Sequence, residues 1–226
     1  MTKLPYVTIN AAMTVDGKTD TFARRGAPIS STSDWMRVDQ LRASSDAIMV
    51  GGHTLLGDDP RLVIKSDALR AARITAGKDE NPIKVGVVTK ADLEPDCCFI
   101  NSGVARKIIF TTTQTSAEKI AELTNLGVEV HVEGSQRVDL RVALEHLAAT
   151  GVEKLLVEGG GILIEELLKA RLVNEILVYI APLIFGGASS PTLANSSGFE
   201  RDQAVSLTLK SMEQFEDGGI LLRYTL

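Results

Sequence analysis

The sequence predicts an α/β protein with a mainly parallel central sheet, helices on both faces of that sheet and an antiparallel hairpin at its C-terminal end. Two observations lead to this fold class. Short runs rich in β-branched residues alternate with segments whose apolar residues recur at helical spacing, which is typical of crossover units in a parallel sheet. The C-terminal segment SLTLKSMEQFEDGGILLRYTL instead contains two alternating runs about a turn-prone EDGG, which predicts a hairpin.

The predicted elements can be justified in chain order from apolar periodicity and flanking turn residues. They are strand YVTINAAM, helix SDWMRVDQLRASS, strands AIMVGG, IKVGVVTK and KIIFTTT, helix SAEKIAELTNLG, strand VEVHV, helix VDLRVALEHLAATG, strand KLLVEGG, helix ILIEELLKARL and strand EILVYIAPLI. The last of these is apolar throughout, which predicts a central strand buried on both faces. Residues 66 to 82 and 186 to 204 are polar and are predicted to be loops.

Capping residues support two of these helices. Thr115 with Glu118 predicts a capping box, and Gly127 follows the end of the same helix. Asp139 predicts the N-cap of the next helix, which Gly151 closes.

Length and composition limit the class of protein. The 226 residues, 44% of them hydrophobic, can form a substantial core, and we expect a single domain over residues 1–226. Lys and Arg total 24 against 29 Asp and Glu, a net charge of -5, so no diffuse positive field would attract nucleic acid or an anionic membrane. The N-terminus has no signal-peptide pattern and no apolar run is long enough to span a bilayer, which predicts a soluble, cytoplasmic protein.

Cysteine and histidine give little indication of chemistry. Cys97 and Cys98 are adjacent, which disfavours a disulfide between them and fits no zinc site, so we expect two reduced thiols and no metal. His53 is expected to be a solvated loop residue, and His131 and His146 are expected to be structural.

Two strand ends share a glycine-rich design. AIMVGGHTLLGDD and LLVEGGGILIEEL both pass from a buried strand through glycines into a helix. Such a turn offers free N–H groups and the positive end of a helix dipole, and glycine lacks the Cβ that would keep a phosphate away. Neither stretch is a dinucleotide fingerprint or a phosphate loop, so tight turns without a ligand are the alternative. If both turns lie at the carboxyl ends of parallel strands, they predict a nucleotide or phosphate site.

A third strand end bears on the choice of cofactor. IKVGVVTK finishes with Thr89 and Lys90, where a sheet that binds NAD commonly carries an acidic residue for the ribose. A hydroxyl and an ammonium group suit a 2′-phosphate, which favours NADPH over NADH. The alternative is an ordinary solvated lysine at a strand end.

Four blocks of the sequence resemble a known family. AAMTVDGK (residues 11 to 18), RVDQLRASSDAIMVGGHTLLGDDPRL (37 to 62), LLVEGGG (155 to 161) and NEILVYIAPLIFGG (174 to 187) look like the reductase of riboflavin biosynthesis, which has a three-layer dihydrofolate-reductase-like fold. The resemblance implies NADPH-dependent reduction of the ribosyl group of a phosphoribosylaminopyrimidine to a ribityl group, with hydride delivered to C1′. It also implies a homodimer. No HxE with PCxxC pattern is present, so we expect no deaminase domain.

The resemblance also implies which residues bind the ligands. The cofactor residues would be Met13, Thr54, Asp58, Val88, Thr89, Lys90, Gly159, Gly160, Gly161 and Ile162. The substrate residues would be Asn10, Ser31, Arg37, Leu62, Lys65 and Glu158. In this scheme Arg37 or Lys65 neutralises the 5′-phosphate and Glu158 accepts hydrogen bonds from the ring amino groups, which orients the substrate. The scheme assigns no residue as catalytic acid or base. Related folds join the first two glycines of such a run by a cis peptide, and we expect one between Gly159 and Gly160.

Two other functions stay open at this point. One is reduction of dihydrofolate or another pteridine on the same fold, for which Asp34 or Asp39 on the first long helix would supply a carboxylate. The other is a catalytically silent nucleotide-binding protein. The sequence does not distinguish a diamino from a deaminated pyrimidine as substrate.

Overall fold

The computed structural model describes residues 3 to 226 of the chain. The strands are β1 (Tyr6–Thr14), β2 (Ala47–Gly51), β3 (Ile83–Val87), β4 (Lys107–Thr111), β5 (Val128–Val132), β6 (Lys154–Val157), β7 (Glu175–Ala181), β8 (Thr208–Gln214) and β9 (Ile220–Thr225). The α-helices are α1 (Thr32–Ser44), α2 (Asp67–Thr75), α3 (Cys98–Asn101), α4 (Ala117–Asn125), α5 (Leu140–Ala149) and α6 (Gly161–Lys169). A π-helical turn (Thr54–Asp58) follows β2.

Backbone contacts group the chain into two compact units. The first unit comprises Asp39–Leu156 with the described residues up to Pro5, and the second comprises Tyr6–Val38 and Val157–Leu226. The predicted fold class is confirmed, because mostly parallel strands alternate with helices and an antiparallel hairpin ends the chain.

The first unit contains a sheet with the strand order β5-β4-β3-β2-β6, in which β2 to β5 pair in parallel. The chain builds outward from β2 to β5 and then returns through α5 to β6 on the other side of β2. The order therefore reverses beside β2, and α/β sheets bind ligands outside the carboxyl ends of the strands at such a reversal. The core of this unit includes Ile48, Val50, Leu55, Leu62, Val88, Phe99, Ile109, Leu123 and Leu156.

The second unit contains a mixed sheet with the order β1-β7-β9-β8. Strand β7 pairs parallel with β1 and antiparallel with β9, and all of its residues except Ile180 are buried. This confirms the prediction of a central strand buried on both faces. Strands β8 and β9 form the predicted hairpin, and every residue of β8 is exposed.

The capping predictions are partly right. Asp139 accepts hydrogen bonds from the N–H groups of Arg141 and Val142 at the start of α5, as predicted. Helix α4, however, is capped by Ser116, whose hydroxyl accepts from Lys119 N. The predicted cap, Thr115, is buried and instead accepts from Ala91 N at 2.9 Å, so its hydroxyl is used in tertiary structure.

The prediction of a loop over residues 66 to 82 is wrong, because α2 lies within it. Ser66 caps this helix by accepting a hydrogen bond from Leu69 N. Arg73 is buried and donates to the carbonyl oxygens of Ala43, Ser45 and Asp79. Tertiary hydrogen bonds therefore hold a helix whose polar sequence resembles a loop. The second predicted loop, residues 186 to 204, is confirmed, since it has only one isolated bridge, between Lys18 and Thr192.

Cysteine and histidine occupy the places expected of structural residues. Cys97 and Cys98 are free thiols. The rings of His131 and His146 lie 3.9 Å apart between centroids and both contact Phe110, and burial lowers the pKa of His131. Across residues 3 to 226, no helix is long and apolar enough to cross a membrane.

Candidate functional site

The first glycine turn follows β2 in the first unit, next to the reversal of strand order. Gly51 ends the strand, and an exposed His53 precedes the π-helical turn. A Cβ on Gly52 would stand 3.1 Å from a methyl carbon of Val88, so the end of β3 passes close to this turn. The structure thus brings the turn that carries Thr54 and Asp58 near Val88, as expected for one ligand site.

The GDDP motif after this turn also has a structural role. The carboxylate of Asp59 accepts hydrogen bonds from the N–H groups of Cys98 at 2.9 Å and Phe99 at 3.2 Å, at the start of α3. Fully buried Lys84 donates to the carbonyl oxygens of Phe99 and Ser102 near the other end of that helix, and burial lowers the pKa of Lys84 to about 8. Asp59 is therefore an anchor, whereas Asp58 is exposed.

The end of β3 presents the predicted cofactor residues Thr89 and Lys90 at the surface, while Val88 is buried. The carbonyl oxygen of Thr89 accepts hydrogen bonds from the hydroxyl groups of Thr111 at 3.3 Å and Thr112 at 2.7 Å, which fix the backbone here. Lys90 Nζ lies 2.8 Å from a carboxylate oxygen of Asp92 in an exposed ion pair. Both side chains are thus accessible from a fixed strand end.

The predicted substrate residues Leu62 and Lys65 differ in their surroundings. Leu62 is buried in the hydrophobic core with φ of 48°, whereas Lys65 is exposed. The buried carboxylate of Asp39 accepts from Lys65 N at 2.7 Å and Ser66 N at 2.8 Å and so fixes this segment. Because both oxygens of Asp39 bind backbone N–H groups, it is poorly placed to deliver a proton.

The second glycine turn follows β6 and leads into α6. Gly159 has φ of 133° and Gly160 has φ of 84°, conformations that residues with a Cβ rarely adopt. The expected cis peptide between these two glycines is wrong, because residues 3 to 226 contain no cis peptide bond. The chain reverses through positive φ angles instead, which glycine reaches without steric cost. Gly160 is the N-cap of α6 and provides no side-chain cap.

Glycine is needed at position 161 because another segment of the chain packs closely against it. A Cβ there would stand 2.9 Å from the carbonyl oxygen of Thr192 and 2.8 Å from Cβ of Asn195. The buried Glu165 one turn later accepts hydrogen bonds from Ser196 N at 2.7 Å and Gly198 N at 2.8 Å, so the same loop is tied to α6 twice. The packing of this loop is therefore a structural reason for glycine at position 161, and the cofactor role stays a prediction.

The VDG motif, which sequence reasoning left without a role, joins two of the recognised blocks. Asp16 accepts from the hydroxyl of Thr14 at 2.6 Å, from Phe185 N at 3.2 Å and from Gly186 N at 2.8 Å. The hydrogen bond from Thr14 is the main cause of the lowered pKa of Asp16. Asp16 therefore fixes the segment after β7 against the end of β1, the strand that carries Asn10 and Met13.

The start of α1 carries a polar cluster of predicted and unpredicted residues. Arg37 Nε donates to Asp34 Oδ1 at 2.8 Å, and Asp34 is fully buried. The hydroxyl of Ser31 accepts from Asp34 N at 3.2 Å. Fully buried Tyr179 donates to the carboxylate of Asp217 at 3.0 Å, and burial is the main cause of its raised pKa. The pairing of Arg37 with Asp34 was not predicted and largely balances its charge.

The remaining predicted residues also fall in the second unit. Met13 lies half-buried on β1, Glu158 is half-buried between β6 and the glycines, and Ile162 is exposed in the first turn of α6. Within the described residues, no group of three or more His, Cys, Asp or Glu side chains is arranged to hold a metal ion.

Comparison with known proteins decides the family. Residues 5–221 match the family model described as the RibD C-terminal domain. The chain belongs to this family. It is 42% identical over 195 residues to an Archaeoglobus fulgidus protein named 2,5-diamino-6-ribosylamino-4(3H)-pyrimidinone 5′-phosphate reductase, covering 86% of this chain and 88% of the relative. A Methanothermobacter thermautotrophicus protein of the same name is 40% identical over 224 residues, which cover 98% of both chains. The resemblance read from the sequence is confirmed.

Solved structures support the fold. A pyrimidine reductase-like protein from Corynebacterium diphtheriae superposes with a TM-score of 0.81 at 21% identity, covering 98% of this chain and 91% of that one. RibD of Acinetobacter baumannii superposes with a TM-score of 0.79 at 23% identity, covering 98% of this chain and 58% of that one. Both proteins therefore share the fold of this chain.

Proposed function

We propose that this protein is the reductase of riboflavin biosynthesis that converts the ribosyl group of a phosphoribosylaminopyrimidine into a ribityl group. The observation that carries this conclusion is the match of residues 5–221 to the RibD C-terminal domain, together with relatives at 40% identity or more that are named as this reductase. The reaction delivers hydride from a nicotinamide cofactor to C1′ of the opened ribose. The 226 residues would act as one reductase domain.

The substrate is proposed to be the diamino pyrimidine. Three relatives carry the name of the diamino reductase, from Archaeoglobus, Methanothermobacter and Aquifex. The test is a steady-state assay of NADPH oxidation with the diamino and the deaminated pyrimidine side by side. Turnover of the diamino compound at the higher kcat/KM is expected. Oxidation that needs neither pyrimidine, or a faster reaction with dihydrofolate, would contradict the proposal.

The residues at the carboxyl end of β3 fit NADPH rather than NADH. Thr89 and Lys90 are exposed there, and the surface ion pair of Lys90 with Asp92 costs little to exchange for a phosphate. The residues Thr54, Asp58 and Val88 lie in the same unit. In the second unit, the N-terminus of α6 has no side-chain cap, which fits an anionic group of the cofactor held by Gly159 to Ile162.

Changing Lys90 to Glu tests the choice of cofactor. A charge-assisted contact contributes about 1.5 to 3 kcal/mol, so the NADPH to NADH preference in kcat/KM should fall about ten- to a hundredfold. Lys119→Glu is the control, because Lys119 also forms an ion pair, with Glu122, but lies on α4. An unchanged preference in Lys90→Glu would assign the 2′-phosphate to another group.

On the substrate side, Glu158 is proposed to accept hydrogen bonds from the ring amino groups. Asn10, Ser31, Arg37, Leu62 and Lys65 complete the proposed set. Arg37 or Lys65 is proposed to neutralise the 5′-phosphate, since both side chains carry the positive charge that this role needs. Glu158→Gln replaces one acceptor by a donor and should weaken substrate binding far more than NADPH binding. Glu153→Gln, at the other end of β6, is the control; equal loss of both ligands would contradict this division of roles.

A homodimer is proposed on the basis of the hairpin. Every residue of β8 is exposed, including Leu209 and Met212, and β8 is the edge strand of its sheet. An exposed edge strand with apolar residues is a common place for association with a second copy. Sedimentation velocity should show a dimer that Leu209→Glu with Met212→Glu dissociates, while Leu126→Glu, at the end of α4, does not. A wild-type monomer would contradict this assignment.

A further inference from the structure

The ion pair between Asp34 and Arg37 leaves polar atoms buried without a partner in the protein. Arg37 Nε donates to Asp34 Oδ1 at 2.8 Å, and Nη2 lies 2.6 Å from the same oxygen. Asp34 Oδ2 and Arg37 Nη1 are buried and form no hydrogen bond with the protein. Since an unpaired buried polar atom is costly, most such atoms in folded proteins have a partner, and an exception indicates a water or a ligand.

A second Asp–Arg pair at the same spacing shows that burial is the distinguishing feature. Asp67 and Arg70 form an i,i+3 pair on α2, but the side chain of Asp67 is 92% exposed. Bulk water satisfies the remaining carboxylate oxygen there. The Asp34 side chain is 0% exposed and that of Arg37 is 14% exposed. Bulk water therefore does not reach the carboxylate of Asp34 to supply the missing hydrogen bond.

A separate observation on β1 concerns the sheet face on which α1 begins. Asn10 Oδ1 is also buried and has no partner in the protein. In the parallel register of β1 and β7, Asn10 pairs with Leu177 and Ala12 with Tyr179, so the side chains of Asn10 and Tyr179 share one face of the sheet. Tyr179 extends to Ser31, which hydrogen-bonds to it and to Asp34 N. The start of α1 therefore lies on the face that carries Asn10.

We propose that Asp34 and Arg37, with Asn10, recognise an amide group of a bound ligand. Arg37 Nη1 would donate to the amide oxygen, and Asp34 Oδ2 would accept from the adjacent amide N–H, with Asn10 Oδ1 accepting a further donor. A fixed donor beside a fixed acceptor matches an amide, whose oxygen accepts and whose N–H donates, and does not match an ionised phosphate, which has no donor. The inference rests on the proposed function, whose two ligands both contain such an amide: the pyrimidinone ring of the substrate and the carboxamide of the nicotinamide.

The test compares Asp34→Asn and Arg37→Lys with the surface control Asp67→Asn. Asparagine keeps the size of Asp34 but presents an N–H in place of an acceptor, and lysine keeps the charge of Arg37 but removes Nη1. Dissociation constants are measured by calorimetry for the diamino substrate, for NADPH and for adenosine 2′,5′-bisphosphate, which lacks nicotinamide. The fragments 4(3H)-pyrimidinone and nicotinamide are tested separately by ligand-observed NMR, and thermal unfolding checks each variant.

The proposal expects one amide ligand to bind roughly ten- to a hundredfold more weakly to Asp34→Asn, and no ligand to change with Asp67→Asn. A loss for the substrate and its ring fragment identifies the pyrimidinone. A loss for NADPH and nicotinamide, but not for adenosine 2′,5′-bisphosphate, identifies the carboxamide. Arg37→Lys should show the same pattern and serves as the test if Asp34→Asn does not fold.

Two results would overturn the proposal. In the first, both variants fold and bind every ligand within twofold of the wild-type affinity. The buried atoms would then be hydrogen-bonded by ordered water and not by a ligand. In the second, the wild-type protein binds none of the amide probes. Failure of the proposed function is separate, because it appears as the absence of wild-type NADPH oxidation, whereas fragment binding still measures amide recognition.

Discussion

The glycine turns after β2 and after β6 look alike in sequence, yet each glycine has a different structural reason. Gly52 is restricted by the side chain of Val88, with an ordinary backbone conformation. Gly159 and Gly160 have positive φ angles, and Gly161 is restricted by the backbone of residues 192 to 195. A run of glycines after a strand therefore indicates close approach or reversal of the chain, but not by itself a phosphate.

The largest effect in this comparison is expected at Gly161. Gly161→Ala places a Cβ within 3.0 Å of Thr192 and Asn195, so the loop or α6 must move. We expect a loss of about 2 kcal/mol in the free energy of unfolding, measured with urea. Proteolysis should also increase within residues 192 to 198. Unchanged stability with an unchanged cleavage pattern would show that the loop adapts without cost.

Gly160→Ala should cost somewhat less, about 1 to 2 kcal/mol, because an L-residue is strained at φ of 84°. Gly77→Ala is the matched control, since Gly77 has φ of 74° and open space where a Cβ would stand. Equal losses for the two variants in urea unfolding would indicate backbone strain alone. A Gly160 variant as stable as wild type would contradict the positive φ.

Gly52→Ala should lower the free energy of unfolding by about 1 kcal/mol, because its Cβ would meet the methyl group of Val88 at 3.1 Å. The cause can be isolated in a double-mutant cycle with Val88→Ala, which makes room for the new methyl group. A favourable coupling between the two substitutions is expected. Strictly additive losses would show that contact with Val88 does not cause the loss of stability in Gly52→Ala.

The smallest effect is expected at Gly57, in the π-helical turn. No atom lies within 4 Å of the position of a Cβ, and φ is not positive. Gly57→Ala should therefore raise the free energy of unfolding by about 0.5 kcal/mol, by restricting the unfolded chain. A loss in urea unfolding would show that this turn needs the freedom of glycine.

Much of the fold was determined by local patterns in the sequence. The alternation of strands and helices, the buried strand β7, the C-terminal hairpin and the cap at Asp139 depend on residues that are close along the chain. Side-chain periodicity and capping act over a few residues, so the sequence alone predicts them. The four sequence blocks that resemble the reductase family also identify the family, in agreement with the match of residues 5–221.

Tertiary structure alone decided the features whose partners are distant in sequence. Thr115 bonds Ala91 rather than capping α4, Arg73 holds α2 through backbone carbonyls 28 and 30 residues away, and Asp16 binds Gly186 N across 170 residues. The burial of the Asp34–Arg37 pair belongs to the same class, because the i,i+3 spacing is local but burial is not. A sequence pattern specifies which hydrogen-bonding and charged groups a residue offers. The folded chain decides which partner contacts those groups and whether water can reach them.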